Sequence, residues 1–277
     1  MSQRQTRGLL QISYYTKPHP NDELDDVVCA ITRAQNLGIR TPSIERIVPF
    51  PNSIRSLCIT QKIDGPTLEE CWSRLGWFST IKLAFQLRWM VNRMRTITSP
   101  TVATGACRAV WLEERYDVPP SATPAVLSSI INFWYNFVHG RREVSKALEQ
   151  HQESCIGPTT PKKTLFFTHT DLAPKNIILE DKTHNLWIID WDRAGFYPEY
   201  FEFAVMRNCT VSSDWGRVGE LRWKLFCSIS PGWYEKERMM LGRIQSKAGR
   251  FAAARRWNIK AGVTPSEASN RVNHPVD

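Results

Sequence analysis

Apolar and polar positions along the chain switch between a period of two and a period of three to four. Residues 9–15, LLQISYY, are rich in β-formers and predict a strand that ends at Thr16-Lys17-Pro18, which reads as a breaker. Asn21 and Asp22 can cap a helix through ELDDVVCAITRAQNLG. There Leu24, Val27, Val28 and Ile31 recur at helical spacing, and Gly38 suits the end. IRTPSIERIVPFP reads as extended, SIRSLCITQKI (53–63) as a second strand and DGPT as a turn. LEECWSRLG then reads as a helix, and residues 78–97 as a long amphipathic one. Its inner face is Leu83, Leu87, Met90, Met94 and Ile97, at alternating steps of four and three. Residues 99–123 read as loop and 124–151 as helix.

From Thr164 to Asp192 the pattern shortens. Two β runs, NIILE and LWIID, flank the polar turn DKTHN and read as a hairpin. RAGFYPEY after it reads as loop. Helices fit EFAVMRN, VGELRWKLFCS and EKERMMLGRIQSKAGRFAAARR. The polar stretch beyond Gly262 has no apolar periodicity and reads as a disordered tail. The expected organisation is α+β: strands and one helix over 1–64, a helical unit with the hairpin over 65–262, and a tail over 263–277.

Composition narrows the class without choosing it. Among 277 residues, 42% are hydrophobic and 23% charged, which is ordinary globular usage and excludes a fibrous or disordered chain. Lys plus Arg number 36 against 27 for Asp plus Glu, a net charge of +9 that favours anionic ligands. The 7 cysteines are odd in number and widely spaced, so free thiols in a reducing compartment are expected. No apolar run is long enough for a signal peptide or a spanning helix, so a cytoplasmic location is expected.

Candidate chemistry gathers at the hairpin. Asp171 and Asn176 lie on the loop entering it and Asp190 at its exit, and a hairpin brings its two ends together. A carboxylate with an amide oxygen, here Asp190 with Asn176, makes a hard-oxygen site suited to Mg²⁺. A carboxylate that does not hold the metal, here Asp171, can take a proton from an attacking hydroxyl. Asp190-Trp191-Asp192 could also be read as the Asp-x-Asp pair of a metal-dependent phosphohydrolase, but Arg193-Ala194-Gly195 does not fit what should follow.

HTDLAPKN has His-x-Asp with Asn five residues beyond the Asp, and IIDWD follows with Asp190 in the place of a metal-binding Asp. This wording resembles the aminoglycoside and choline phosphotransferase branch of the protein-kinase-like superfamily, and is most similar to fungal members. CITQKIDGPTLEECW resembles that branch's strand-and-hinge segment. The resemblance implies a two-lobed kinase-like fold, ATP and Mg²⁺ as cofactors, and phosphoryl transfer to a hydroxyl or amine of a small molecule. It implies Asp171 as catalytic base, Asn176 and Asp190 as metal ligands, and adenine against backbone near Gln61 to Ile63. His169 would brace the loop, Asp192 add a carboxylate near the metal, and Glu202 fix the loop or face substrate. Lys17 would hold the α/β phosphates, steadied by Glu23 or Asp26. Only 16 residues precede Lys17 and Gly8 is the one glycine among them, so a missing or shortened phosphate lid and a truncated small lobe are expected. A catalytically degenerate binding protein is the alternative. The expected partners are a nucleotide and a small acceptor, with neither membrane nor nucleic acid, and the expected state is a monomer or weak dimer.

Overall fold

The structure, a computed structural model, describes residues 14–101, 122–139 and 164–248. Strand β1 (Tyr14–Pro20) leads directly into helix α1 (Asn21–Asn36). Strands β2 (Ile44–Pro49) and β3 (Arg55–Gln61) complete an antiparallel sheet in the order β1-β3-β2, with Lys17 opposite Cys58. The expected break at Pro18 does not occur: β1 runs through both Pro18 and Pro20. It pairs only with β3 among the described residues, and an edge strand tolerates missing N–H donors. Residues 9–13 of the expected strand lie outside the described residues. The cap of α1 is Pro20 rather than Asn21 or Asp22. The Asn21 side chain is already engaged, its Oδ1 accepting from Ser56 Oγ at 2.7 Å.

A short helix α2 (Leu68–Cys71) opens with a capping box between Thr67 and Glu70. The long helix α3 (Trp77–Met94) buries Leu83, Leu87, Met90 and Met94 as their spacing predicts. Helix α4 (Pro124–His139) follows; the rest of the expected loop at 99–123 and of the helix to 151 lies largely outside the described residues, as does the tail. The hairpin forms from β6 (Ile177–Leu179) and β7 (Leu186–Ile188). The segment read as loop contains β8 (Gly195–Tyr197) instead. It pairs with β5 (Leu165–Thr168), which in turn pairs with β4 (Thr98–Ser99). These runs of two to four residues are too short to show a period, and their pairing is non-local.

Helices α5 (Tyr200–Asn208), α6 (Gly216–Ile229) and α7 (Glu235–Ala248) close the fold. One hydrophobic core runs from Val27 on α1 to Ile244 on α7. At its centre Trp72, fully buried, donates from Nε1 to Gly219 O at 2.9 Å. Arg222 returns the bond from Nη2 to Trp72 O at 2.9 Å and also donates to Leu75 O. A Cβ at Gly219 would stand 2.7 Å from that of Trp215, the N-cap of α6, so the first turn of α6 requires glycine there. The five described cysteines, Cys29, Cys58, Cys71, Cys209 and Cys227, are free thiols.

The link between the first sheet and the helical part is pinned to the hairpin. Leu179 N donates to Pro66 O at 2.9 Å and Asp181 N to Asp64 O at 3.1 Å. Gly65 has φ +148°, and a Cβ there would lie 2.2 Å from Leu179 O. The glycine of DGPT is thus required by close backbone approach as well as by conformation.

Candidate active site

The loop after β5 is held from behind by buried polar groups. Thr170 adopts the left-handed conformation (φ 59°), which is costly for a β-branched residue. Two bonds hold it there. Its N–H donates to Glu202 Oε1 at 2.5 Å, and its Oγ1 donates to Arg193 O at 2.5 Å. His169, fully buried, accepts from the Asp171 N–H at Nδ1 (3.2 Å), which assigns the proton to Nε2 and directs it to Ile189 O at 3.0 Å. Burial pushes the imidazole pKa down against the pull of Asp171 and Asp190, so the ring is neutral and tautomer-locked. Burial likewise pushes Glu202 up to about 7, opposed by the Thr170 N–H bond and by Arg95.

This bracing aims three side chains. Asn176 Nδ2 donates to Asp171 O at 2.9 Å and to Asp171 Oδ2 at 3.1 Å. Both amide protons are thus committed to Asp171, and Oδ1 is the atom Asn176 offers elsewhere. Asp190 is reached through the hairpin: Ile189 N donates to Asn176 O at 3.0 Å, tying exit to entrance. Asp190 itself is left-handed, φ 65°.

In front of the loop lies a cavity of about 580 Å³. Lys17, Gln61, Ile63, Asn176 and Asp190 all line it; Asp171 does not, and is joined to the lining by the Asn176 amide. Lys17 Nζ bridges two carboxylates, donating to Asp190 Oδ1 at 2.6 Å and lying 2.8 Å from Asp192 Oδ2. Burial alone would lower the Lys17 pKa; its bonds to Asp190 and Asp192 outweigh that and raise it. Burial works to raise Asp190, and the Lys17 bond prevails and lowers it. Both members of the pair therefore favour their charged forms.

Lys17 lies in mid-strand instead of at a strand end. Its described ion pairs go to Asp190 and Asp192. His19 also enters the cavity, with Nδ1 3.6 Å from Asp192 Oδ2, and so do Tyr15 and Lys175. Tyr15, Lys17 and His19 share one face because side chains alternate along a strand. That signal stood in the sequence, hidden by the prolines that read as a break. Asp192, expected as an added carboxylate, lies at the cavity.

The donor set suits a hard cation. Asp190, Asp192 and the Asn176 amide oxygen are oxygen donors, and the Lys17 ammonium already bridges the two carboxylates at 2.6 and 2.8 Å. Among the described residues no group of three or more His, Cys, Asp or Glu forms a self-sufficient metal cage. Two or three oxygen ligands beside an open cavity suit a cation whose remaining ligands come from water or a bound molecule.

Residues 111–236 match the family model described as "Phosphotransferase enzyme family". The match takes in Asp171, Asn176, Asp190 and Asp192 and leaves Lys17, Gln61 and Ile63 outside. No curated protein matches the chain. Among solved structures, a thermostable mutant of aminoglycoside phosphotransferase APH(4)-Ia in apo form is 13% identical, covering 88% of this chain and 90% of that one, at a TM-score of 0.46. Aminoglycoside-3'-phosphotransferase of type VIII is 15% identical, covering 85% and 84%, at 0.47. Spectinomycin phosphotransferase APH(9)-Ia, in complex with ADP and spectinomycin, is 13% identical, covering 87% and 75%, at 0.49.

Proposed function

We propose that this chain is a kinase-like phosphotransferase that moves a phosphoryl group from MgATP to a hydroxyl or amine of a small molecule. The observation that carries the reading is Asp171 bonded through Asn176 to a cavity wall where Lys17, Asp190 and Asp192 meet. The phosphotransferase-family match over residues 111–236 supports it from the sequence side. In this reading β1, α1, β2 and β3 form the small lobe of a kinase-like fold. The stretch from Gln61 to Gly65 joins it to the helical lobe.

Asp190 and the Oδ1 of Asn176 would hold Mg²⁺, with Asp192 beside them. Bound there, Mg²⁺ would supply charge neutralisation on the phosphate oxygens. Lys17 would exchange its carboxylate partners for the phosphates, and backbone at Gln61 to Ile63 would meet the adenine edge. Asp171, oriented by the Asn176 amide, accepts the proton of the attacking hydroxyl or amine as its oxygen or nitrogen bonds to phosphorus. The bond from phosphorus to the bridging oxygen breaks, and the diphosphate leaves. The protein's part is positioning and electrostatics, with no covalent intermediate.

One observation favours the alternative, a binding protein without turnover. Lys17 already bridges Asp190 and Asp192, so part of the acidic charge of the wall is balanced from within. Calorimetric titration with MgATP, beside Asp190→Ala and a phosphoryl-transfer assay, separates the two. Mg²⁺- and Asp190-dependent binding with transfer supports the enzyme; binding without transfer to any of a panel of hydroxyl and amine acceptors supports the alternative. A folded chain that does not bind overturns both.

A further inference from the structure

The outer face of α3 does not look like a solvated helix face. Trp77, Ile81, Phe85 and Trp89 follow one another at steps of four, and Phe78 stands beside them. All five are exposed, Phe78 by 82% and Phe85 by 58%. At 100° per residue they fall within one half of the helix circumference, opposite the buried Leu83, Leu87, Met90, Val91 and Met94. Trp77 and Trp89 are 12 residues apart, about 18 Å along the axis. Lys82, Arg88 and Arg93 occupy the same half, and no Asp or Glu occurs between residues 77 and 94.

The two arginines frame the face without losing their charge. Arg88 Nη1 donates to Ile229 O at the end of α6 (2.9 Å), and Arg93 Nε donates to Leu37 O after α1 (3.2 Å). Arg93 also lies over the Trp89 ring, 5.6 Å from its centroid. Both acceptors are neutral carbonyls, and among the described residues no carboxylate is paired with either guanidinium.

We propose that this face docks on an anionic phospholipid surface, holding the chain peripherally at a membrane. Aromatic side chains interleaved with Lys and Arg match a layer that is apolar beneath an anionic surface. A second copy of the chain would oppose cation to cation, and the whole chain carries +9. A peptide would need a recess, whereas large side chains standing this far out of one helix make a ridge, which a soft lipid layer accommodates. The expectation of no membrane partner came from the lack of a spanning segment; peripheral docking needs none. Indeed, no described helix is long and apolar enough to cross a membrane.

The test is sedimentation of the full chain with phosphatidylserine–phosphatidylcholine vesicles, against phosphatidylcholine alone. Phe78→Ser/Phe85→Ser and Lys82→Glu are run alongside. All three sites are exposed, and matched thermal melts check that the variants fold. Expected are binding that requires phosphatidylserine, a loss of roughly tenfold or more in affinity for the double variant, and a smaller, salt-sensitive loss for Lys82→Glu. No binding by the wild-type chain overturns the proposal. So does binding that the double variant retains, which would report only the global positive charge. Light scattering that shows a dimer dissociated by the double variant would assign the face to a second copy instead. Tighter binding of an acidic amphipathic peptide than of vesicles would assign it to a protein. None of these outcomes depends on nucleotide or phosphoryl transfer.

Discussion

Behind the loop after β5, Glu202 and His169 are fully buried and each is spent on a backbone group of a neighbouring residue. In front of it, Lys17, Asp190 and Asp192 keep a quarter to a third of their side chains exposed and are bonded to one another. The rear groups touch no ligand space; they hold Thr170 in a conformation that costs of order 1–3 kcal/mol and so fix where Asp171 points. The front groups can change partners. Buried polar groups bound to backbone give rigidity, because losing a partner strands them in low dielectric. Part-exposed ion pairs are exchangeable, because water and salt compensate either member. On the proposed function, a site that holds a base still while admitting a charged ligand needs one kind on each side.

Substitutions on the two sides should therefore separate activity from stability. The largest effect is expected for Asp171→Asn, which retains the shape of the loop. Turnover should fall by about 10²–10⁴-fold, with a melting temperature close to wild type. An assay showing unchanged turnover would remove Asp171 as the base.

Next is Glu202→Gln, read as a pH profile of stability. The folded-state pKa is pushed up to about 7 from an ordinary 4.5. Between those values the folded chain holds a proton that the unfolded chain has released. The associated stability is therefore full below pH 4.5 and lost as pH rises through 7, about 3 kcal/mol in all. Urea unfolding should show wild type losing stability relative to Glu202→Gln from pH 5 to pH 8; parallel curves would break the rear half of the comparison. His169 runs the other way. Its folded pKa is depressed, so stability is present above its ordinary value of 6.5 and is lost as pH falls through it. Subtracting the Glu202→Gln curve separates the two.

Gly65→Ala should follow, destabilising by about 1–3 kcal/mol because a Cβ at that backbone meets Leu179 O. Thermal melts would show it, and an unshifted melt would mean that the link to the hairpin is slack. The smallest effect on stability belongs to the front. Lys17→Met should cost no more than about 1 kcal/mol, since the pair is partly exposed and screened. MgATP affinity should nevertheless fall measurably by calorimetry. A large stability loss with unchanged affinity would make Lys17 a structural lysine.

Much of the site was legible because it is local. Asp171, Asn176 and Asp190 lie within one hairpin and its two flanks, and the polar turn DKTHN between β-rich runs announces how they meet. The inner face of α3 was legible for the same reason, since helical period is a local property. β8 was not, because three residues show no period and its partner residues on β5 lie 27 to 31 positions earlier. The path of β1 was misread because a proline such as Pro18 breaks most strands, and it is tolerated where, among the described residues, β1 pairs on one side only. That error hid His19 and the true depth of Lys17 in the cavity. The outer face of α3 went unnoticed because Lys82, Arg88 and Arg93 among its aromatics give the helix an amphipathic pattern.

Residue order alone determined the hairpin, the chemistry gathered at its ends and the helices whose apolar positions repeat every three or four residues. Their spacing acts over a few residues and leaves a periodic trace. Only the tertiary structure decided that Lys17 meets Asp190 across 173 positions of chain, and that Glu202 sits behind Thr170. It also decided that Gly65 must yield to a carbonyl of the hairpin. Those are close approaches between segments with no shared period, selected by how sheet, loop and helices pack, and burial then sets which charges are locked and which can be exchanged.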